Sequence, residues 1–184
     1  MSIFAIGDLH LPGGDKKPMD VFGAHWERHF ERICADWQSR VKPEDIVLIP
    51  GDISWAMNME DALADFTFLH GLPGEKYLMK GNHDYWWTTV SSMQRFLDQH
   101  RLNTLHFLHN NAVTAEGVSL CGSRGWMFEE GERAEGSITA RELGRIRRSL
   151  AAAPPENEKI LFLHYPPIFG QQAIPEFFLS LIHI

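Results

Sequence analysis

The sequence predicts an α/β fold: parallel strands joined by helices, then a hairpin-rich region forming a second sheet. Short apolar runs at Ile3-Phe4-Ala5-Ile6, Ile46-Val47-Leu48-Ile49 and Lys76-Tyr77-Leu78-Met79 alternate with stretches of helical periodicity. Such alternation builds parallel strands with right-handed crossovers. Each run is followed by a glycine corner bearing ligand-type residues: Gly7-Asp8-Leu9-His10, Gly51-Asp52 and Gly81-Asn82-His83-Asp84. In open α/β sheets ligands bind at this carboxyl edge.

Taken in order, Ser2 to Ile6 reads as a buried parallel strand, and Leu11 to Pro18 as a loop because of its Pro and Gly breakers. Trp26, Phe30, Ile33, Cys34 and Trp37 recur at three- and four-residue spacing, so a helix is expected over Ala24–Val41. After the second strand, Leu63, Phe66 and Leu69 mark a helix over Met59–His70, stopped by Leu72-Pro73-Gly74. A further helix is expected over Trp87–His100. Leu105–Phe107, Ala112–Ala115 and Val118–Cys121 are short strand-like pieces assigned to the hairpin-rich region. A charged loop over Glu129–Gly136 and a helix over Thr139–Ala152 follow. The strand Lys159–Leu163 then delivers His164 at its carboxyl end.

The chain has 184 residues, 44% hydrophobic and 22% charged, which suits one globular domain. A net charge of −7 with no Lys/Arg run beyond Arg145-Ile146-Arg147-Arg148 argues against a dedicated nucleic-acid surface. Small phosphorylated substrates stay open, because bound metal ions reverse the local charge. Cys34 and Cys121 form no CxxC pair and read as buried thiols. With no signal peptide and no membrane-length apolar run, a cytoplasmic location is expected. Nothing in the sequence specifies the oligomeric state.

Asp8, His10, Asp52, Asn82 and His164 combine carboxylate, imidazole and amide oxygen, a donor set suited to divalent Mn, Fe or Zn. Asp52 is the candidate to bridge two ions. Two metals about 3.5–4 Å apart generate a hydroxide nucleophile at neutral pH and clamp the oxygens of an in-line displacement. His83 would then stabilise phosphoryl oxygens or protonate a leaving alkoxide. Asp84 could orient that imidazole. Arg124, within Gly122-Ser123-Arg124-Gly125-Trp126, is a candidate phosphate fork, or else a loop ion pair. Each residue alone has a plainer reading as a turn, cap or half-buried histidine. That plainer account must hold at four strand ends at once. Trp86, Trp87 and Trp126 read first as core, and second as pocket lining.

With Asp8-Leu9-His10, Gly51-Asp52, Gly81-Asn82-His83-Asp84 and His164 in this order, the chain resembles the calcineurin-like metallophosphoesterases. The longer strings Gly51-Asp52-Ile53-Ser54-Trp55-Ala56-Met57 and Leu163-His164-Tyr165-Pro166-Pro167 resemble a bacterial subgroup of uncharacterised phosphohydrolases. The resemblance implies a four-layer α/β/β/α sandwich and hydrolysis of phosphomonoesters or phosphodiesters with two divalent metal ions. It places the first ion on Asp8 and His10, the second on Asn82 and His164, Asp52 between them, and His83 against the phosphoryl group. The rivals are a catalytically inactive scaffold of the same fold that binds proteins, and a nuclease. The acidic balance speaks against the nuclease.

The departure is at the carboxyl end, where the family's Gly-His-x-His block, one ligand for each metal, has no counterpart. Leu179-Ser180-Leu181-Ile182-His183-Ile184 is what CTGTCTCTTATACACATC encodes, which resembles a transposon end used in sequencing libraries. The expectation is therefore an incomplete domain over 1–178, a non-native tail over 179–184, and weak or absent activity for this chain.

Overall fold

The sequence Ile-Val-Leu-Ile offers no polar face, and β2 (Ile46–Ile49) is buried at every position, inside a four-stranded parallel sheet. The computed structural model describes residues 1–13, 19, 23–126, 136–169 and 172–173. It divides into two compact units, Met1–Phe107 and Leu108–Ile184. Residues 127–135 lie outside the described set, with most of the charged loop expected there, as do 174–184 with the tail expected at 179–184. Among the described residues no helix is long and apolar enough to cross a membrane.

In the first unit the sheet runs β1 (Ile3–Ala5), β2, β3 (Glu75–Leu78), β4 (Leu105–Phe107), in that spatial order and all parallel. The crossovers carry α1 (His29–Arg40), α2 (Leu63–Gly71) and α3 (Val90–Gln99). One core joins Val47, Ile49 and Leu78 of the sheet with Trp37, Phe66, Leu69, Met93 and Leu97 of the helices. Two expectations change. Leu105–Phe107 is the fourth strand of this parallel sheet rather than part of the second region. β1 is parallel but not buried, because it occupies a sheet edge; Ile3 is 36% exposed.

Helix boundaries move for local reasons. The expected Ala24–Val41 helix breaks into a 3₁₀ turn, Ala24–Trp26, and α1, because Arg28 adopts a left-handed φ of 49°. Asn58 closes a turn by accepting from the Asp61 N–H at 2.9 Å, so α2 begins four residues later than its apolar pattern suggests. Thr89 caps α3 by accepting from the Ser92 N–H.

The second unit pairs β5 (Ala112–Ala115) antiparallel with β6 (Val118–Ser123) through Glu116-Gly117. Both turn residues have positive φ, 50° and 83°, as a tight hairpin requires. The α4 helix (Gly136–Ala151) then leads to β7 (Glu158–Leu163), which is parallel to β6. Ile146 and Leu150 of α4 pack on Cys121. A short ribbon, β8 (Ile168–Phe169) with β9 (Gln172–Ala173), follows. The α/β class and the division into a parallel sheet and a second sheet are as expected.

Lys76 was not anticipated as a structural residue. It is fully buried on β3, and its Nζ donates to the carbonyls of Leu72 at 2.6 Å and Gly74 at 2.7 Å. Burial lowers its pKa to about 8, against an opposing pull from Glu75. The unfolded chain therefore binds more protons than the folded one between pH 8 and 10.5. Wild type should gain stability relative to Lys76→Met as pH rises through that window, by about 3 kcal/mol in total. Urea unfolding of both proteins at pH 7.5, 9 and 10.5 measures it.

Candidate metal centre

The segments leaving β1 and β2 keep pairing beyond the ends of the strands. Asp8 N donates to Gly51 O at 3.1 Å, His10 N to Asp52 O at 2.9 Å, Leu11 N to Ile53 O at 2.9 Å, and Trp55 N to Leu11 O at 2.9 Å. Within this ladder Asp8, His10 and Asp52 have positive φ of 56°, 45° and 53°. A non-glycine residue held there carries about 1–3 kcal/mol of strain, and such residues cluster at functional sites. The left-handed corners turn the three side chains toward one point.

His10 Nε2 lies 3.8 Å from Asp8 Oδ1 and 3.8 Å from Asp52 Oδ2, and the three ligand atoms sit within 4.8 Å of one another. Asp52 is buried, His10 half-buried and Asp8 exposed. Ligand atoms bound to one ion at about 2.0–2.2 Å can be at most roughly 4.4 Å apart, so the 3.8 Å separations fit a shared cation. Two carboxylates and an imidazole suit a borderline divalent ion.

The third corner is locked onto the second by Asp84. This carboxylate accepts from the backbone N–H groups of Asp52 at 2.9 Å, Ile53 at 2.8 Å, Ser54 at 3.4 Å and Gly81 at 2.7 Å, and from Trp86 Nε1 at 3.1 Å. Asp84 is 1% exposed. Burial raises its pKa, and the bonds from Gly81 and Ile53 oppose that rise. The expectation that Asp84 orients the His83 ring is corrected. Its oxygens are committed to backbone amides and the Trp86 indole, and it shapes the loops instead.

His83 N donates to Asp52 Oδ1 at 2.9 Å, so the amide after Asn82 fixes the carboxylate that faces His10. The His83 ring lies 5.9 Å from that of His10 and 4.7 Å from Trp55. Its Nδ1 is buried with no hydrogen-bond partner among the described residues. Gly81 has no room for a side chain: a Cβ would stand 2.0 Å from Asp52 Oδ1 and 2.3 Å from Asp52 N. Asn82, between Gly81 and His83 in the chain, is half-buried.

Sequence reasoning missed Asp65. Buried on α2, it accepts from Ser54 Oγ at 2.5 Å and from Gly13 N at 2.8 Å, tying the first loop to the second. Burial raises its pKa and those two bonds oppose the shift. Gly13 has φ 69°, and a Cβ there would meet Ala56 N at 2.4 Å. A carboxylate on the otherwise apolar stripe beside Phe66 was the available signal. The tryptophans Trp86 and Trp87 are core residues, edge-on to Phe66 and Phe107 respectively.

In the second unit His164 follows β7, half-buried, its ring 5.0 Å from Tyr165. The Arg124 guanidinium lies over the rings of Trp126 at 5.0 Å and Tyr165 at 5.4 Å, and Tyr165 N donates to Arg124 O. Arg124 is thus held by aromatic faces rather than by a loop ion pair among the described residues. Its Nε is buried without a hydrogen-bond partner there.

A family model described as calcineurin-like phosphoesterase matches residues 1–180. No curated protein sequence matches the chain. Among solved structures, phosphopantetheinyl hydrolase from Mycobacterium tuberculosis is similar at 12% identity and a TM-score of 0.52, covering 90% of this chain and 68% of its own. A protein of unknown function from Aquifex aeolicus is similar at 18% identity and a TM-score of 0.46, covering 89% and 90%. At 12% identity the likeness to the hydrolase speaks to fold alone.

Gly81→Ala should displace the Asp52 carboxylate, lower thermal stability by about 1–3 kcal/mol and weaken Mn²⁺ binding at least tenfold. Calorimetric titration beside a melting curve checks both.

Proposed function

The chain belongs to the calcineurin-like phosphoesterase family, and from that premise we propose that it is a metal-dependent phosphohydrolase acting on a phosphomonoester or phosphodiester. The observation that carries the reading is the convergence of Asp8, His10 and Asp52 within 4.8 Å, with the His83 amide holding Asp52 in place. A small phosphorylated substrate and a cytoplasmic setting complete the proposal.

Divalent ions, when bound, supply Lewis acidity that activates water and neutralises phosphoryl charge. The residues of the chain do the rest. Asp8, His10 and Asp52 would hold a divalent ion, and the family resemblance implies that Asp52 would also serve a second ion, for which it names Asn82 and His164. His83 lies beside the cluster with an imidazole nitrogen uncommitted to other described groups. It donates to a phosphoryl oxygen or passes a proton to the leaving alkoxide. The left-handed backbone at three ligand positions supports a preorganised site, since ordinary turns would not concentrate such strain there.

The test combines metal titration with hydrolysis of an aryl phosphate. Asp52→Ala should lose metal binding and turnover together. His83→Ala should keep the metal within a few-fold while its kcat falls by about 10²–10⁴. A protein that takes up no Mn²⁺, Zn²⁺ or Fe²⁺ and hydrolyses no aryl phosphate would instead be the protein-binding scaffold.

A further inference from the structure

Trp55 lies against the candidate centre, and neither the family pattern's ligands nor the proposed chemistry uses it. Its indole stacks on the His10 imidazole, with centroids 4.9 Å apart and planes 21° from parallel. The same indole lies 4.7 Å from the His83 ring, inclined at 48°. The His10 ring also meets Trp26 edge-on at 5.9 Å. Trp55 is itself held at three points. Its Nε1 donates to Met19 Sδ at 3.3 Å, its backbone N to Leu11 O at 2.9 Å, and the next amide, Ala56 N, to Ser54 Oγ at 3.1 Å. Ser54 Oγ in turn donates to the buried Asp65.

We infer that Trp55 is a positioning residue for the metal centre: its indole face fixes the ring plane of His10 so that Nε2 stays aimed at the point shared by Asp8 and Asp52. The inference rests on the metal-dependent reading. The left-handed backbone of His10 sets its Cα–Cβ direction, and the plane of the ring is a separate torsion that the stacked indole constrains. A stacked indole allows the imidazole to keep one plane and leaves both ring nitrogens at the edge, where a cation or hydrogen-bond partner meets them. Residues that orient metal ligands alter affinity about 10–100-fold when removed.

The experiment compares Trp55→Phe, which keeps a flat face, with Trp55→Leu, which keeps apolar bulk without one. Mn²⁺ affinity is read by calorimetry, and melting in chelator reports folding without metal. The expected result is Trp55→Phe within about threefold of wild type and Trp55→Leu at least tenfold weaker, with the two melting within a few degrees of each other. The Co²⁺ spectrum of Trp55→Leu should also differ from wild type, because imidazole coordination changes. Equal metal affinity in Trp55→Leu and wild type overturns the inference. So does equal weakening of both variants, which would mark Trp55 as filler or as an anchor through its Nε1. Should Trp55→Leu not fold, Trp55→Met replaces it with the same outcomes. A wild-type protein that binds no divalent ion sinks the metal-dependent reading itself, a result distinct from failure of the variants.

Discussion

The Asp84 carboxylate is the constraint on which the candidate centre depends. It gathers four backbone amides and the Trp86 indole from two loops more than twenty-five residues apart in sequence. An ionised carboxylate accepts and never donates, which suits a point where only N–H groups converge. Those amides would otherwise be buried without partners at the ends of β2 and β3, a cost of about 1–3 kcal/mol each. The same bonds draw Gly81 against Asp52 so closely that no side chain fits between them. Asp84 therefore acts on Asp52, one of the candidate ligands, through the backbone that carries it.

A second buried carboxylate repeats this logic on the other side. Asp65 binds Gly13 N and Ser54 Oγ, joining the loop after β1 to the loop after β2. Between them, Asp84 and Asp65 hold a backbone in which Asp8, His10 and Asp52 remain left-handed. The strain of those residues is tolerable only because the surrounding hydrogen bonds over-determine the path. Close-approach glycines, Gly13 and Gly81, are the steric counterpart of the same tightness.

The second unit makes a separate contribution. The β6–α4–β7 crossover places Arg124 and His164 after neighbouring strand ends, both beside Tyr165. Arg124 was open to two readings, a phosphate fork or a loop ion pair. The structure has a third arrangement, with the guanidinium over two aromatic rings.

Composition, periodicity and corner motifs were enough to determine the α/β class, the parallel order of the first strands and the ligand-type residues at their ends. These are local properties: apolar runs of strand length, three- and four-residue spacing, and glycine before a carboxylate all act within a few positions. Helix starts differ from the apolar pattern where Asn58 closes a turn ahead of α2 and Thr89 caps α3, because side-chain bonds to backbone compete with that pattern at this scale. The edge position of β1, the membership of β4, the roles of Asp84 and Asp65, and the seat of Trp55 against His10 belong to the tertiary structure alone. Each depends on which segments meet across long sequence separations. Burial then selects partners for groups whose identity in the sequence, an aspartate here or a tryptophan there, is compatible with many different neighbours.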